Sequence, residues 1–314
     1  MPLLLLGATL LGSTSSANYA SRYAATDLAP AQSRGRALAV VVWATTIGAV
    51  AGPNLTGPAA SLAHTLGIPE LTGPFALGAA GMLVAAVVVA IRLRPDPLLT
   101  ARQLHADAVS DGTATSGQSQ PIREILRERP VLVAAMVAMA AAHAVMISVM
   151  VMTPLHMAQG HATLKVIGVV ISLHVLGMYA FAPLFGIASD RLGPPRVLLL
   201  GGAVLLAALL VCARAPEGSS AAIFVGLFLL GVGWSVTMVA ASTLVAQQAP
   251  LASLTVVQGT ADLAMSLAAA VGGAASGVIV SAYGFSVLAA YASIFAFFGL
   301  LASLWAARLV RVSA

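Results

Sequence analysis

The chain alternates between long apolar runs and short polar breaks. A membrane-crossing helix needs about 20 largely apolar residues. Nine runs approach or exceed that length: 2–20, 38–62, 73–93, 130–153, 165–188, 196–213, 220–246, 256–281 and 286–308. Pro69 and Pro74 bracket the second gap, Gly193-Pro194-Pro195 marks the fifth, and Pro216-Glu217-Gly218 the sixth. The gap at 247–255 holds no charge, but Gln247, Gln248 and Pro250 interrupt what would otherwise be an overlong helix. The pattern predicts an all-α, polytopic membrane helix bundle with about nine transmembrane helices.

Composition agrees. Of 314 residues, 60% are hydrophobic and 8% charged, and mean hydropathy is +0.98. Soluble proteins carry about 25% charged residues. So few charges cannot coat a water-exposed surface of this size, and disordered chains are less hydrophobic than this. The single cysteine, Cys212, excludes a disulfide framework within the chain and a cysteine-rich metal site. The net charge of +5 is not gathered on a basic face, so nucleic acid is not an expected partner.

Except for Lys165 every base is Arg, and most sit between apolar runs. Arg22, Arg34, Arg36, Arg92, Arg94, Arg102, Arg123, Arg127, Arg129, Arg191, Arg196, Arg308 and Arg311 fall on one side of the predicted topology. Only Lys165 and Arg214 fall on the other. By the positive-inside rule the Arg-rich side is cytoplasmic, in a cell inner (plasma) membrane. The segment 95–121 is the one long linker, rich in Ser, Thr, Gly, Gln and Asp, and reads as a flexible cytoplasmic connection. The expected organisation is an incomplete three-helix N-terminal bundle (1–94), a linker (95–129) and a six-helix C-terminal bundle (130–314). Met1-Pro2 enters an apolar run directly, without the basic n-region and cleavage site of a secretory signal. Three helices, a linker and six helices lead to the expectation that three further helices belong at the front.

That layout resembles the major facilitator superfamily with the first three of twelve helices removed. The segment Gly186-Ile-Ala-Ser-Asp190-Arg191-Leu-Gly193-Pro-Pro-Arg196 is similar to the superfamily's loop signature, with the final base displaced by one position. Gly48-Ala-Val-Ala-Gly52-Pro53 resembles the Gly-x-x-x-Gly-Pro motif on the fifth helix of drug–proton antiporters, and the missing-three register places it on that helix. The stretches 22–30, 152–157 and 172–191 resemble those of bacterial facilitators known only as general transporters. The resemblance implies two six-helix bundles rocking about a central cavity. The runs at 2–20, 130–153 and 220–246 would line that cavity. Those at 38–62, 165–188 and 256–281 would form the interface between bundles.

Several residues carry candidate chemistry. Gly48 and Gly52 would let a neighbouring helix approach closely, and Pro53 would kink the helix at the interface. Asp262 lies about 9 Å beyond the start of its run. A carboxylate there is either a proton-coupling site or a first-turn acid favoured by the helix dipole and reached by water. His143 and His174 fall near the middles of their helices and suit proton exchange, or serve as hydrogen-bonded structural groups. His156 and His161 flank a short external loop; with no carboxylate or Cys beside them they make a poor zinc site and read as loop residues. Asp190 and Arg191 form either an ordinary tight turn or, as the resemblance implies, a gate latch against Arg34 and Arg36, by an ion pair or by capping the helix that begins near residue 38.

No Gly-x-Ser-x-Gly elbow, His-Glu-x-x-His pair or phosphate-binding Gly-Lys-Ser/Thr loop occurs, so neither an enzyme nor an ATP-driven pump is expected, and no cofactor. The resulting expectation is a monomeric secondary transporter in the lipid bilayer, exporting small amphipathic molecules in exchange for protons. Met136, Met139, Met146 and Met150 would give its cavity an adaptable surface. The alternatives are a metabolite importer of the same superfamily and an inactive, truncated membrane protein.

Overall fold

The computed structural model describes residues 2–113, 120–218 and 220–312. Every regular element among them is a helix. In chain order the α-helices are α1 (Pro2–Ala24), α2 (Arg34–Thr65), α3 (Gly73–Arg92), α4 (Pro97–Ser110), α5 (Ile122–Glu128), α6 (Pro130–Gln159), α7 (Leu164–Tyr179), α8 (Ala182–Leu192), α9 (Pro194–Ala213), α10 (Ala221–Gln248), α11 (Leu254–Tyr283) and α12 (Phe285–Val312). Among the described residues, eight segments are long and apolar enough to cross a membrane. The ninth expected span, α1, has the length at 23 residues. Its second half is too polar, with Ser13, Thr14, Ser15, Ser16, Asn18 and Arg22.

Two runs fold differently from their hydrophobic pattern. The run at 165–188 is broken at Ala180-Phe181 into α7 and α8. Pro183 has no N–H to donate to the carbonyl of Tyr179, and its ring disfavours a continuous helix there. The linker is not a structureless tether. Asp96 accepts from the Leu99 N–H at 2.9 Å, Pro97 occupies the first helical turn, and α4 follows. Ile122, Ile125 and Leu126 fold α5 onto the bundle. Residues 114–119 of the linker lie outside the described residues.

The described residues form two compact units. One comprises those up to Trp43 and from Gln120 onward, the other those from Ala44 to Thr113. In the larger unit α10 is flanked by α6, α7 and α9; α11 and α12 pack on α6, and α12 also on α9. Small residues permit this closeness. A Cβ on Gly177 of α7 would stand 2.6 Å from the Phe228 carbonyl oxygen of α10. Three buried hydroxyls are satisfied within their own helices, as suits hydrocarbon. Ser148 donates to Ala144 O at 2.7 Å, Thr153 to Val149 O at 2.8 Å, and Thr243 to Val239 O at 2.7 Å. Met136, Met139 and Met146 are part of this packed core rather than an open lining.

In the smaller unit, Gly73 at the start of α3 lies against the backbone of Ala59 in α2. A side chain there would overlap it. Around α3 the exposed side chains include Phe75, Leu83, Val84, Val88 and Ile91. That surface suits hydrocarbon rather than water.

Cys212 is fully buried, and its Sγ lies where a Cβ on Gly226 of α10 would meet it at 2.5 Å. It is the chain's one thiol. Maleimide should leave it unmodified in folded protein and modify it completely in denaturing detergent. Rapid labelling in the native membrane would show that α9 and α10 do not pack in this register.

Candidate functional site

The site begins with the polar half of α1. Ser15, Tyr19, Arg22 and Thr26 are spaced by four, three and four residues, so they share a helix face and its continuation. Arg22 is 3% exposed. It is therefore not a loop base at the membrane edge, as its position after the first apolar run implied. It pairs directly with Asp262 of α11, 240 residues away. Asp262 is the ninth residue of its helix, beyond the first turn, and its side chain is 16% exposed. The reading of a first-turn acid held by the dipole and water thus gives way to a buried ion pair. The guanidinium carbon also lies 5.0 Å from the Tyr19 ring centre and 4.8 Å from that of Tyr23, within cation–π range.

An aromatic chain extends from this pair into the bundle. Tyr19 stands edge-on to His143 of α6 at 6.4 Å. The Trp234 indole of α10 donates to His143 Nδ1 at 2.8 Å, so that nitrogen carries no proton in this arrangement. Tyr179 of α7 meets the Trp234 ring edge-on at 5.8 Å. The structure therefore brings Asp262 and His143 into one cluster with Arg22, Tyr19, Tyr23, Trp234 and Tyr179. His174 is not in it. It is buried between α7 and α10, with Nδ1 2.7 Å from the Leu227 carbonyl oxygen. His156 is no loop residue: it lies inside α6, 4% exposed, stacked on Phe285 at 4.2 Å. His161 follows α6 with φ of 60°.

A second set of contacts holds helix ends together. Asp190, at the end of α8, accepts from the Gly35 N–H at 2.8 Å and the Arg36 N–H at 2.9 Å, at the start of α2. Of the two expected forms of contact, the structure has the helix cap; neither Arg34 nor Arg36 forms an ion pair with Asp190. Arg34 donates instead to Ala246 O at 3.1 Å, and Arg129 to Gln248 O at 2.5 Å, so two cations meet the carbonyl end of α10. Arg36 and Arg191 are exposed. The cap depends on Gly35 and Gly186, which face each other across α2 and α8. A Cβ on Gly35 would be 2.7 Å from Asp190 Oδ1, and one on Gly186 would be 2.6 Å from the Ala39 Cβ. At Gly48 and Gly52 a side chain would meet nothing within 4 Å, so the close approach expected there is not made among the described residues. The backbone at Pro53 continues as helix.

Apolar spans enclosing a buried charge pair and an aromatic cluster define a polytopic membrane protein. The chain belongs to the Major Facilitator Superfamily, whose sequence profile matches residues 1–163 and again 143–313. It is similar to two proteins of Bacillus subtilis (strain 168). It is 34% identical over 279 residues to the uncharacterized MFS-type transporter YdeG, a match covering 89% of this chain and 64% of that protein. It is 32% identical over 287 residues to the uncharacterized MFS-type transporter YddS, covering 91% and 65%. The chain spans just under two thirds of the length of these relatives.

Removing one partner of a buried ion pair costs about 3–5 kcal/mol, whereas replacing both by apolar residues costs far less. Arg22→Met or Asp262→Leu alone should lower the melting temperature markedly, and the double variant should recover most of the loss. Additive losses would mean that the pair does not form. Asp190→Asn keeps one acceptor and loses one of two hydrogen bonds to the start of α2. It should cost about 1 kcal/mol, and the loss should be measurable by denaturant titration in detergent.

Proposed function

We propose that the chain is part of a proton-coupled secondary transporter of small amphipathic molecules, with Asp262 as the coupling carboxylate. The observation that carries this reading is the Arg22–Asp262 pair. A carboxylate paired inside a membrane bundle has two states. When ionised it holds Arg22, and with it the end of α1, against α11. When protonated it releases the guanidinium, which must then find another partner. That exchange converts a proton into a change of packing. His143 lies beside the pair and exchanges protons only by giving up its bond from Trp234. His174, bound to the Leu227 carbonyl, has the position of a structural group.

In this reading Asp190, Arg34, the Arg36 N–H and the exposed Arg191 form a gate at the cytoplasmic end, where the Arg-rich loops lie. Export in exchange for protons is the direction supported by the likeness of Gly48-x-x-x-Gly52-Pro53 to the antiporter motif. Import together with protons has its own support: the buried polar atoms around Arg22 that lack partners are donors, which suit a ligand entering with a proton.

Two measurements test this function. In cells expressing the transporter, an uncoupler should abolish substrate movement, and Asp262→Asn should do the same while leaving substrate binding largely intact. Transport by Asp262→Asn that still responds to the uncoupler would place coupling elsewhere. For topology, a cysteine at Ala158 in a Cys212→Ser background should react with an impermeant reagent from outside, and one at Gly112 should not. The opposite pattern would reverse the orientation.

A further inference from the structure

We propose that the Arg22 cluster is a binding site for an organic anion, specifically an aromatic carboxylate, which takes over the guanidinium when Asp262 is protonated. This rests on the reading of Arg22–Asp262 as the coupling pair and names the ligand class of that site. Three polar groups there are buried and without partners: Arg22 Nε, Tyr23 Oη and Gln258 Nε2. Their residues are 3%, 2% and 8% exposed. Gln258 lies one turn before Asp262, on the same face of α11. Nε–H and the amide N–H only donate, and the phenol has its proton to give. These groups are thus short of acceptors, and a carboxylate brings two oxygens with about four lone-pair sites. A cationic ligand would bring no acceptor to these groups and would meet the like charge of Arg22.

The fork of Arg22 makes the same point. Nε and Nη2 share one edge of the guanidinium. Asp262 engages Nη2 through a single oxygen while Nε stays unpaired. A carboxylate gripping that edge with both oxygens would use it fully. Tyr19 and Tyr23 supply ring faces beside it, and His143, Trp234 and Tyr179 continue the aromatic chain from Tyr19, which favours a ligand carrying an aromatic ring.

The sign of the coupling follows. With Asp262 ionised, an incoming anion meets a like charge and an occupied arginine. With Asp262 protonated, the anion replaces it and the net charge of the site is unchanged. Proton and anion therefore bind together, and anion affinity rises as pH falls. The titratable groups facing the pair are Tyr19 and Tyr23 from α1, His143 from α6 and Tyr179 from α7; α10 contributes Trp234. Tyrosine ordinarily keeps its proton through neutral pH, so between about pH 5 and 8 only Asp262 and His143 need separating.

The test uses the 314-residue chain in lipid nanodiscs and equilibrium dialysis, with benzenesulfonate, which stays ionised throughout that range, benzoate, and the cation benzyltrimethylammonium. Both anions should bind and the cation should not. Affinity should rise as pH falls, by up to about tenfold per unit if one proton enters with each anion. Asp262→Asn should bind benzenesulfonate tightly without pH dependence, and His143→Gln should keep the dependence. Arg22→Gln should lose binding. Tyr23→Phe, which removes one hydroxyl, should weaken it by about tenfold without changing the melting temperature. Cation binding that weakens as pH falls would overturn the proposal. So would the absence of anion binding to wild-type and Asp262→Asn chains that melt cooperatively. Binding is read without flux, so the two ideas fail separately. Anion binding beside uncoupler-insensitive transport overturns the coupling reading, and coupled transport without anion binding overturns the ligand class.

Discussion

A charged side chain inside a membrane bundle must have a partner, and the arrangement of α1 follows from that requirement. Arg22 lies at the buried end of a helix whose second half is polar. Hydrocarbon offers such a surface nothing. Asp262 answers the charge, and the pair pins the end of α1 to α11. Tyr19 and Tyr23 then close on the guanidinium, and Tyr19 reaches the edge of His143. His143 in turn receives Trp234, which abuts Tyr179. The ion pair and the rings thus attach α1 to a cluster that α6, α7, α10 and α11 supply.

The helix ends nearby obey the same electrostatics in weaker form. The start of α2 presents free N–H groups and a partial positive charge, and Asp190 meets both. The end of α10 presents free carbonyls and a partial negative charge, and it has no basic residue in its own last turn. Arg34 and Arg129 supply the missing cations from elsewhere in the chain. Each element end is thus completed by a residue distant in sequence, and α2 is joined to α8 and α10 through its first three residues.

The spans were legible because membrane thickness dictates a length, and apolar runs of that length need no knowledge of their neighbours. What the runs did not reveal depended on single residues or distant pairs. Pro183 splits one run because a missing N–H acts on the residue four places earlier. Asp96-Pro97 starts a helix inside a segment whose composition resembles a tether. Arg22 was misplaced because the charge rule assigns a flanking arginine to water unless its partner is known, and Asp262 is 240 residues away. The spacing of Tyr19, Arg22 and Thr26 was the available sign of a polar face turned inward. Gly48 and Gly52 drew notice for their motif, yet the close crossing is made by Gly35 and Gly186, whose importance lies in what stands opposite them. Asp262 and His143 stood out as polar groups in apolar surroundings; the tyrosines and Trp234 join them only through the tertiary fold.

Comparing magnitudes ranks these contacts as controls. A carboxylate capping a helix start contributes about 1 kcal/mol, and a cation near a helix end about 0.3–1 kcal/mol. Neither Asp190 nor the arginines at α10 must change charge to do this, so these contacts bias how the elements dock without responding to a proton. The Arg22–Asp262 pair differs in kind. Breaking it by removing one charge leaves the other buried, a loss of about 3–5 kcal/mol. That is larger than all the caps together, and a single proton on Asp262 suffices to impose it. A two-state equilibrium moves from 1:99 to 99:1 with about 5.5 kcal/mol. Under the proposed coupling, one protonation event at this position would supply most of that shift, a ligand at Arg22 would offset it, and the caps would only bias the balance.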